Sequence, residues 1–320
     1  MNEHLMSKHK EYHYNDILLL PNEALVDSRE QVSTWQTIGN WKFKLPIIPA
    51  NMKTIIDFNL AKWLTQNGYF YVMHRFGVDI IDFAKKMQKI GLVSISVGVN
   101  QDSIEVIKKL KKLKIKIHYI TIDIAHGHCD KMKKMIALIK ENLPDTFVIA
   151  GNVCTGNGVH ALESWGADAT KVGIGSGKVC ITKLQTGFSR PQFSAVLECA
   201  AFAKKPIISD GGITQNGDIA KALVAGASWV MTGNLVAGFE ESPGKKIIYP
   251  DGRIVKEYFG SASEHNKGVK EYVEGCKIEI PYRGSIVDKY KEIDQSLRSS
   301  ISYAGGRDLK AFKKVNWVVQ

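Results

Sequence analysis

Short apolar runs recur at regular intervals along this 320-residue chain. Each run has five or six residues, is rich in Val and Ile, and is bounded by polar or glycine-containing segments, which is typical of buried strands. The pattern predicts eight strands, at residues 46–50, 69–73, 93–97, 118–123, 147–151, 169–174, 206–210 and 228–232.

Segments with helical spacing separate most of these strands, for example residues 79–91 and 216–227. Strands that alternate with helices pair in parallel, and eight such strands close a barrel. A doubly wound open sheet is the alternative, but it requires a Gly-rich turn after its first strand, and "PIIPANMKT" (46–54) contains no glycine. The sequence therefore predicts a single domain over residues 1–320 with the fold of a (β/α)8 TIM barrel.

An insertion of about residues 239–284 follows the eighth predicted strand. It contains "KKIIYPDGRIVKEY" (245–258), which predicts a hairpin with its turn at Asp251–Gly252, and then a polar segment at 260–276. The eighth helix is predicted at residues 285–300. Because barrel active sites lie at the C-terminal ends of the strands, we interpret the insertion as a mobile lid over the site, with a subunit contact as the alternative.

Composition restricts the class of protein. Hydrophobic residues make up 44% of the chain, which is enough for one large core or two modest ones. No apolar run approaches the ~18 residues of a membrane span, and the polar start "MNEHLMSKHKEYHYND" lacks a signal core, so a cytoplasmic location is expected. Five scattered cysteines without a CxxC pair argue against a disulfide framework and a structural zinc site.

The formal net charge of +11 suggests an anionic partner. Much of the lysine lies in "IKKLKKLKIK" (107–116), which predicts the solvated face of an amphipathic helix, so nucleic-acid binding is disfavoured. A basic surface equally attracts small anions such as nucleotides. "HGHC" (126–129) has the His-x-His spacing of a metal site without an evident third ligand, so a transition-metal site is also disfavoured.

"VGIGSGKVCITK" (172–183) places Cys180 at the end of a glycine-rich loop after the sixth predicted strand. Cys180 is either a small buried hydrophobe after a turn or a nucleophile where glycines let a substrate approach the backbone. Residues 173–180 are called the cysteine loop below. The sequence leaves open whether Lys178 or the loop backbone would activate the thiol.

Two more loops favour a nucleotide site beside Cys180. "SDGGIT" (209–214) and "MTGNL" (231–235) follow the seventh and eighth predicted strands, where barrels bind phosphate through backbone amides. Gly211, Gly212 and Gly233 suit a phosphate group, and Asp210 suits the hydroxyls of a ribose.

Longer motifs carry a family resemblance. "GIGSGKVCITKLQTGF" (173–188), "SDGGITQNGDIAKAL" (209–223) and "VAGFEESPG" (236–244) closely resemble the IMP dehydrogenase/GMP reductase family, and the likeness runs from residue 14 to residue 305. The resemblance implies that a purine nucleotide binds in the barrel and that a cysteine attacks C2 of its base. Hydride then passes between C2 and a nicotinamide cofactor.

The resemblance also assigns roles to individual residues. It implies that Cys180 forms a thioimidate, that Thr182 assists proton transfer, and that Glu274 is the catalytic glutamate of the lid. Asn234 stands where a small residue is common, and Ser176 replaces the usual proline of the cysteine loop. The residues implied in substrate binding are Asp210, Gly211, Gly212, Gly233, Asn234, Gly260, Ser261 and Ala262.

The implied cofactors are NADPH and a monovalent cation, taken as potassium. The cation would be held by the backbone carbonyls of Gly175, Gly177, Cys180 and Lys183. The residues implied in cofactor binding within one subunit are Arg75, Asp123, Ile124, Ala125, Ile174 and Gly175. Ser28, Arg29, Ser299 and Ser300 match a site for the adenosine end across a subunit boundary, which implies a homotetramer, and Arg29 suits a 2′-phosphate.

Two absences favour the reductive reaction of the family. "MHRFGVDIIDFAKKM" (73–87) leaves no room for the regulatory insertion of the dehydrogenases, and no arginine lies between Gly260 and Gly275. The implied reaction is a step of purine salvage, in which GMP and NADPH give IMP, ammonia and NADP. The alternatives are an IMP dehydrogenase without its regulatory domain and a catalytically silent barrel that binds nucleotide or RNA.

Overall fold

The computed structural model describes residues 10–267 and 273–320. The strands are β1 (Ile17–Leu19), β2 (Gln36–Ile38), β3 (Trp41–Phe43), β4 (Ile47–Pro49), β5 (Ser94–Val97), β6 (Tyr119–Asp123), β7 (Phe147–Val153), β8 (Ala169–Val172), β9 (Ile207–Asp210), β10 (Trp229–Thr232), β11 (Lys246–Ile248), β12 (Ile254–Phe259), β13 (Lys277–Pro281) and β14 (Trp317–Val319). The α-helices are α1 (Phe58–Gln66), α2 (Ile80–Gln88), α3 (Gln101–Lys112), α4 (Asp130–Asn142), α5 (Gly156–Ser164), α6 (Thr182–Thr186), α7 (Gln192–Phe202), α8 (Asn216–Val224), α9 (Glu264–Lys267) and α10 (Ile286–Tyr303), and three 3-10 turns lie at Tyr14–Asp16, Arg29–Gln31 and Leu309–Lys314.

The central sheet is parallel throughout its described strands, in the order β4–β10–β9–β8–β7–β6–β5. β4 comes first of these strands along the chain and pairs with β10, which comes last, so the sheet curls back on itself as a barrel does. Every residue of β5, β8 and β10 is buried, because helices cover the outside and side chains fill the inside. The predicted (β/α)8 barrel is confirmed.

Seven of the eight predicted strands form, and the prediction of a strand at 69–73 is wrong in its detail. This segment lies between β4 and β5, but it pairs with β5 only at Met73 and Ile95. Side-chain hydrogen bonds replace part of the missing backbone pairing. The Tyr71 hydroxyl accepts a bond from the Ser94 amide at 3.2 Å, and the Ser96 hydroxyl donates to the Met73 carbonyl at 2.7 Å.

An aromatic cluster closes the end of the barrel where the strands begin. Tyr119 and Trp229 are the first residues of β6 and β10, and Phe70 lies between them with ring centroids at 4.8 and 5.6 Å. Phe43 packs on Phe70 at 5.0 Å and on Trp229 at 5.9 Å. The cluster leaves only the opposite end, at the carboxyl ends of the strands, open for a site.

The helices predicted from periodicity are confirmed as α2, α8 and α10, with boundaries shifted by a few residues. The lysine-rich segment 107–116 begins inside α3, where Ile107 and Leu110 are buried and the neighbouring lysines are exposed. Among the described residues, no helix combines the length and the apolar composition that crossing a bilayer requires.

The insertion after β10 forms a three-stranded antiparallel sheet, β11–β12–β13. The hairpin turn lies at Asp251–Gly252 as predicted, and Gly252 has a φ of 84°, which favours glycine. The sequence prediction missed β13, which pairs with β12 and returns the chain to α10. Of the polar segment at 260–276, residues 268–272 lie outside the described part of the chain.

We expect Phe70→Ala to lower the free energy of unfolding by about 3–5 kcal/mol, because the removed ring is fully buried and the surrounding side chains only partly fill the cavity that it leaves. Denaturant unfolding followed by circular dichroism measures this change. Phe188→Ala is the control, since Phe188 is 76% exposed and its loss should change stability by less than ~0.5 kcal/mol. A loss below ~1 kcal/mol for Phe70→Ala would mean that side-chain packing does not hold segment 69–73.

Candidate active site

A cleft of about 380 Å³ opens at the carboxyl ends of the barrel strands. Its walls come from the loops after β4, β6, β8, β9 and β10, from the segment after Met73, and from the insertion. The sequence-predicted residues that line it are Arg75, Asp123, Ile124, Ala125, Ile174, Gly175, Gly177, Cys180, Thr182, Asp210, Gly211, Gly233, Gly260, Ser261, Ala262 and Glu274. Residues that lie far apart in the sequence are therefore brought together here.

Three of these side chains form a continuous hydrogen-bonded chain. The Cys180 Sγ lies 3.1 Å from the Thr182 Oγ1. The Thr182 hydroxyl donates to the Glu274 Oε2 at 2.7 Å, although 92 residues separate the two. A thiol, a hydroxyl and a carboxyl group in this order can pass a proton along the chain while the sulfur reacts.

The backbone of the insertion holds Glu274 in this place. The Ile181 amide donates to the Glu274 carbonyl at 2.8 Å, and the Cys276 amide donates to the Val179 carbonyl at 2.9 Å. Between these bonds, Gly275 pairs with Cys180 as an antiparallel bridge. A Cβ on Gly275 would lie 3.0 Å from the Ser263 amide nitrogen, so the close approach of three backbone segments requires glycine here.

The cysteine loop is also fixed from the barrel side. Gly173 has a φ of 153°, and a Cβ there would overlap the Asp210 carbonyl oxygen. The Ser176 hydroxyl donates to the same carbonyl at 3.1 Å, a bond that a proline at this position could not make. The loop is thus bonded to the end of β9 on one side and to the insertion on the other.

The amides expected to bind phosphate are partly engaged within the protein. Gly211 donates to the Met231 carbonyl at 3.2 Å, and Gly212 donates to the Ser176 carbonyl at 3.1 Å. Gly212 and Asn234 do not line the cleft, and the Asn234 carbonyl accepts a bond from Arg283 at 2.9 Å. Of the loops after β9 and β10, the cleft therefore exposes Asp210, Gly211 and Gly233.

A buried lysine that the sequence analysis did not single out lies beneath the cleft. Lys171 on β8 is 2% exposed, and its Nζ is 2.7 Å from both the Asp123 Oδ1 and the Asp210 Oδ2. Burial disfavours its charge, but the two carboxylates outweigh burial and raise the pKa of Lys171. Burial likewise opposes ionisation of Asp123, yet Lys171 and the Asn51 amide outweigh it and lower the pKa of Asp123.

Tyr258 and Asn152 also line the cleft without having been predicted. Burial, and then the charge of Asp210, raise the pKa of Tyr258, so its phenol is a hydrogen-bond donor at neutral pH. Asn152 donates to Asp210 Oδ2 at 2.8 Å. Of the missed residues Lys171, Tyr258 and Asn152, only Lys171 left a signal in the strand pattern, because it is a charged residue within the apolar run 169–174.

The residues predicted to bind an adenosine group do not line this cleft. Ser28 caps the 3-10 turn Arg29–Gln31 through a bond from the Glu30 amide at 3.2 Å, and both Ser28 and Arg29 are exposed. The turn packs against α10, which carries Ser299 and Ser300. Within one chain, these four residues therefore lie outside the cleft.

The geometry places Cys180, Thr182 and Glu274 in one hydrogen-bonded chain beside a cleft at the mouth of a parallel barrel. Residues 11–320 match the family model described as IMP dehydrogenase / GMP reductase domain. The chain belongs to this family.

The most similar curated proteins include several GMP reductases. The one from Lactococcus lactis subsp. cremoris (strain SK11) is 54% identical over 312 residues, which cover 96% of this chain and 94% of the relative. The one from Mesoplasma florum is 52% identical over 312 residues, covering 96% and 97%. The one from Albidiferax ferrireducens is 51% identical over 310 residues, covering 96% and 95%.

We expect Gly173→Ala to separate the cysteine loop from the end of β9, because its Cβ would overlap a backbone oxygen. A non-glycine residue in this conformation costs at least ~1–2 kcal/mol of stability, measured by urea unfolding. Gly217→Ala in α8 is the control, since its Cβ would meet nothing within 4 Å and alanine favours a helix. Equal stability of the two variants would contradict the close packing described for Gly173.

Proposed function

We propose that this protein reduces GMP to IMP with NADPH and releases ammonia, through a covalent intermediate on Cys180. The observation that carries the proposal is the hydrogen-bonded chain from Cys180 through Thr182 to Glu274, all three of which line the cleft. A nucleophile, a proton relay and an acid are what the removal of an amino group requires. Family membership and the GMP reductase relatives support the same reaction.

The proposed reaction begins when the Cys180 thiolate adds to C2 of the purine. The bond between C2 and its amino nitrogen then breaks, and the nitrogen leaves as ammonia after receiving a proton through Thr182 from Glu274. This leaves a thioimidate, in which C2 is bound to the sulfur. NADPH, when bound, supplies the hydride that reduces C2. Cleavage of the carbon–sulfur bond restores the thiolate and gives IMP, so one NADPH is consumed for each ammonia released.

Residues around the cleft would orient the two reactants. Asp210 would accept hydrogen bonds from the ribose of GMP, and Ser261 and Ala262 would border the purine on the side of the insertion. Arg75, Asp123 and the residues after β6 and β8 would hold the nicotinamide half of NADPH on the opposite side. All of these residues line one cleft, so the two reactants would meet there.

A monovalent cation, proposed as potassium, would bind the carbonyls of Gly175, Gly177, Cys180 and Lys183. The Gly177 carbonyl accepts a bond from the Cys180 amide at 3.0 Å, and the Lys183 carbonyl accepts one from Gly187 at 3.2 Å. Each carbonyl oxygen has two lone pairs, so both retain one for a cation. Neutral oxygen ligands suit such an ion, which would stabilise the turn that carries Cys180.

The proposal includes a homotetramer. Ser28, Arg29, Ser299 and Ser300 lie outside the cleft of their own chain, so they would contact the adenosine end of a cofactor bound to a neighbouring subunit. Arg29 would then pair with the 2′-phosphate of NADPH.

The direct test is to incubate the protein with GMP and NADPH and to measure nicotinamide absorbance, ammonia and IMP together. We expect equal amounts of NADPH consumed, ammonia released and IMP formed, and no turnover in Cys180→Ala although GMP still binds. Formation of XMP from IMP and NAD would instead indicate the dehydrogenase reaction. Absence of both reactions, with salt-dependent RNA binding, would indicate a silent binding protein.

We expect Glu274→Gln to slow GMP reduction by roughly 10²–10⁴-fold, because the amide keeps the shape of the side chain but has no acidic proton to transfer. The reverse half-reaction, in which IMP forms the adduct and reduces NADP, should be affected much less, since hydride passes directly between carbons. Single-turnover absorbance measures both half-reactions.

Glu279→Gln is the matched control for this variant. Glu279 lies on β13 of the same insertion, bonds to the Tyr249 hydroxyl and does not line the cleft, so both half-reactions should keep their rates. If Glu274→Gln slows the two half-reactions equally, Glu274 positions the substrate or activates Cys180 and is not the acid.

A further inference from the structure

The buried ion triad of Lys171, Asp123 and Asp210 joins two walls of the cleft. Lys171 projects from β8 into the barrel, where its ammonium group contacts a carboxylate at the end of β6 and another at the end of β9. The lysine is 2% exposed, whereas the side chains of Asp123 and Asp210 are 20% and 19% exposed and line the cleft. The cation is thus sealed below the cleft, and its two partners face the ligands.

The two carboxylates need this cation to remain ionised side by side. Each contacts the same nitrogen at 2.7 Å, so the contacting oxygens are separated by no more than roughly twice that distance, within the ~4–6 Å over which like charges disfavour each other. Without a cation between them, burial and the neighbouring like charge would together raise the pKa of one of the two carboxyl groups toward neutral pH.

Other groups around the triad act on one carboxylate each. Asn51 donates to Asp123 at 2.9 Å, and the Arg75 guanidinium also favours its charge. Asn152 donates to Asp210 at 2.8 Å, and the Tyr258 phenol lies close enough to be influenced by that charge. The other titratable groups that line the same cleft are Cys180 and Glu274. Of these groups, none takes the place of Lys171, which contacts both carboxylates.

We propose that Lys171 is a positioning residue that holds Asp123 and Asp210 ionised and correctly spaced, and thereby aligns the nucleotide with the nicotinamide cofactor. The inference rests on the proposed function, in which Asp210 orients the ribose of GMP and Asp123 orients the cofactor. Hydride transfer requires the two carbons to meet in one geometry. A single buried cation bonded to both orienting carboxylates fixes the distance between the two binding positions.

Lys171→Met removes the charge and keeps most of the side-chain volume. We measure the dissociation constants of GMP and NADPH by calorimetry at pH ~6 and ~8, and express each as the ratio of variant to wild type. The ratio cancels the ionisation of the ligand's own phosphates. We expect the ratio for at least one of the two ligands to be about 10-fold larger at the lower pH, because a required carboxyl group that titrates near neutral pH is about ten times less ionised at pH ~6 than at pH ~8.

Lys140→Met is the matched control. Lys140 pairs with Asp168, which lies just before β8 at the opposite end of the barrel. Its loss removes a lysine–aspartate pair without touching the cleft, so both ratios should stay near one at either pH. Ratios for Lys171→Met that do not change with pH for either ligand would overturn the proposal, whatever their size, because a packing defect does not titrate.

A second variant covers the case in which Lys171→Met does not fold. Lys171→Met combined with Asp123→Asn removes the like-charged pair, and it is compared with Asp123→Asn alone. We expect the two variants to bind GMP within ~3-fold of each other at both pH values, because Asp210 is then the one carboxylate left and no like-charged pair needs the lysine. A tenfold or greater difference would show that Lys171 acts on the nucleotide side alone.

A measurement without ligand separates this inference from the proposed function. Carbon-13 NMR follows the ionisation of the aspartate carboxyl groups. We expect one carboxyl group to titrate near neutral pH in Lys171→Met, or in any other folded variant that lacks the lysine and keeps both aspartates. We expect none to do so in the wild type. If that titration appears but wild type does not bind GMP, the proposed function fails and the role of Lys171 in charge balance stands. If GMP binds and no carboxyl titrates, the inference fails.

Discussion

The pairing of Gly275 with Cys180 is the contact on which the candidate site depends. It joins the insertion to the cysteine loop by backbone bonds on both sides, from the Ile181 amide to the Glu274 carbonyl and from the Cys276 amide to the Val179 carbonyl. These bonds bring the Glu274 side chain to Thr182, and therefore into line with the sulfur. Without this pairing, the carboxyl group and the thiol would belong to separate parts of the chain.

The site combines a buried inner layer with an outer layer added by the insertion. The inner layer is the Lys171 triad, set between strands whose side chains are buried in the barrel. The outer layer is the short backbone pairing at residues 274–276, which joins the insertion to the cysteine loop.

The sequence predicted the barrel because strands buried on both faces leave continuous apolar runs, and because the helices between them carry a regular apolar stripe. It failed at 69–73, where the composition suits a strand but the Tyr71 and Ser96 side chains replace ladder bonds. The strand β13 was missed because its pairing with β12 depends on a hairpin return that local pattern does not encode.

For the site, sequence motifs identified Cys180, Thr182 and Glu274, and the structure brings them together. Lys171 could not be assigned a role from the chain alone, since its two partners lie 48 and 39 residues away and meet only when the barrel closes. The same limit applies to Tyr258, whose position at the cleft depends on how the insertion folds back. Long-range pairing of charges is a property of the closed barrel and leaves little trace in local sequence.

The central claim is that Cys180 forms a covalent bond to the purine. The most direct measurement is to mix the protein with IMP and NADP, quench in acid, and determine the mass of each cysteine-containing peptide. The account predicts a nucleotide adduct on the peptide that carries Cys180, formed together with an equal amount of NADPH, and no adduct on the peptides of Cys129, Cys154, Cys199 or Cys276. Production of NADPH with no adduct on Cys180, or full production in Cys180→Ala, would contradict it.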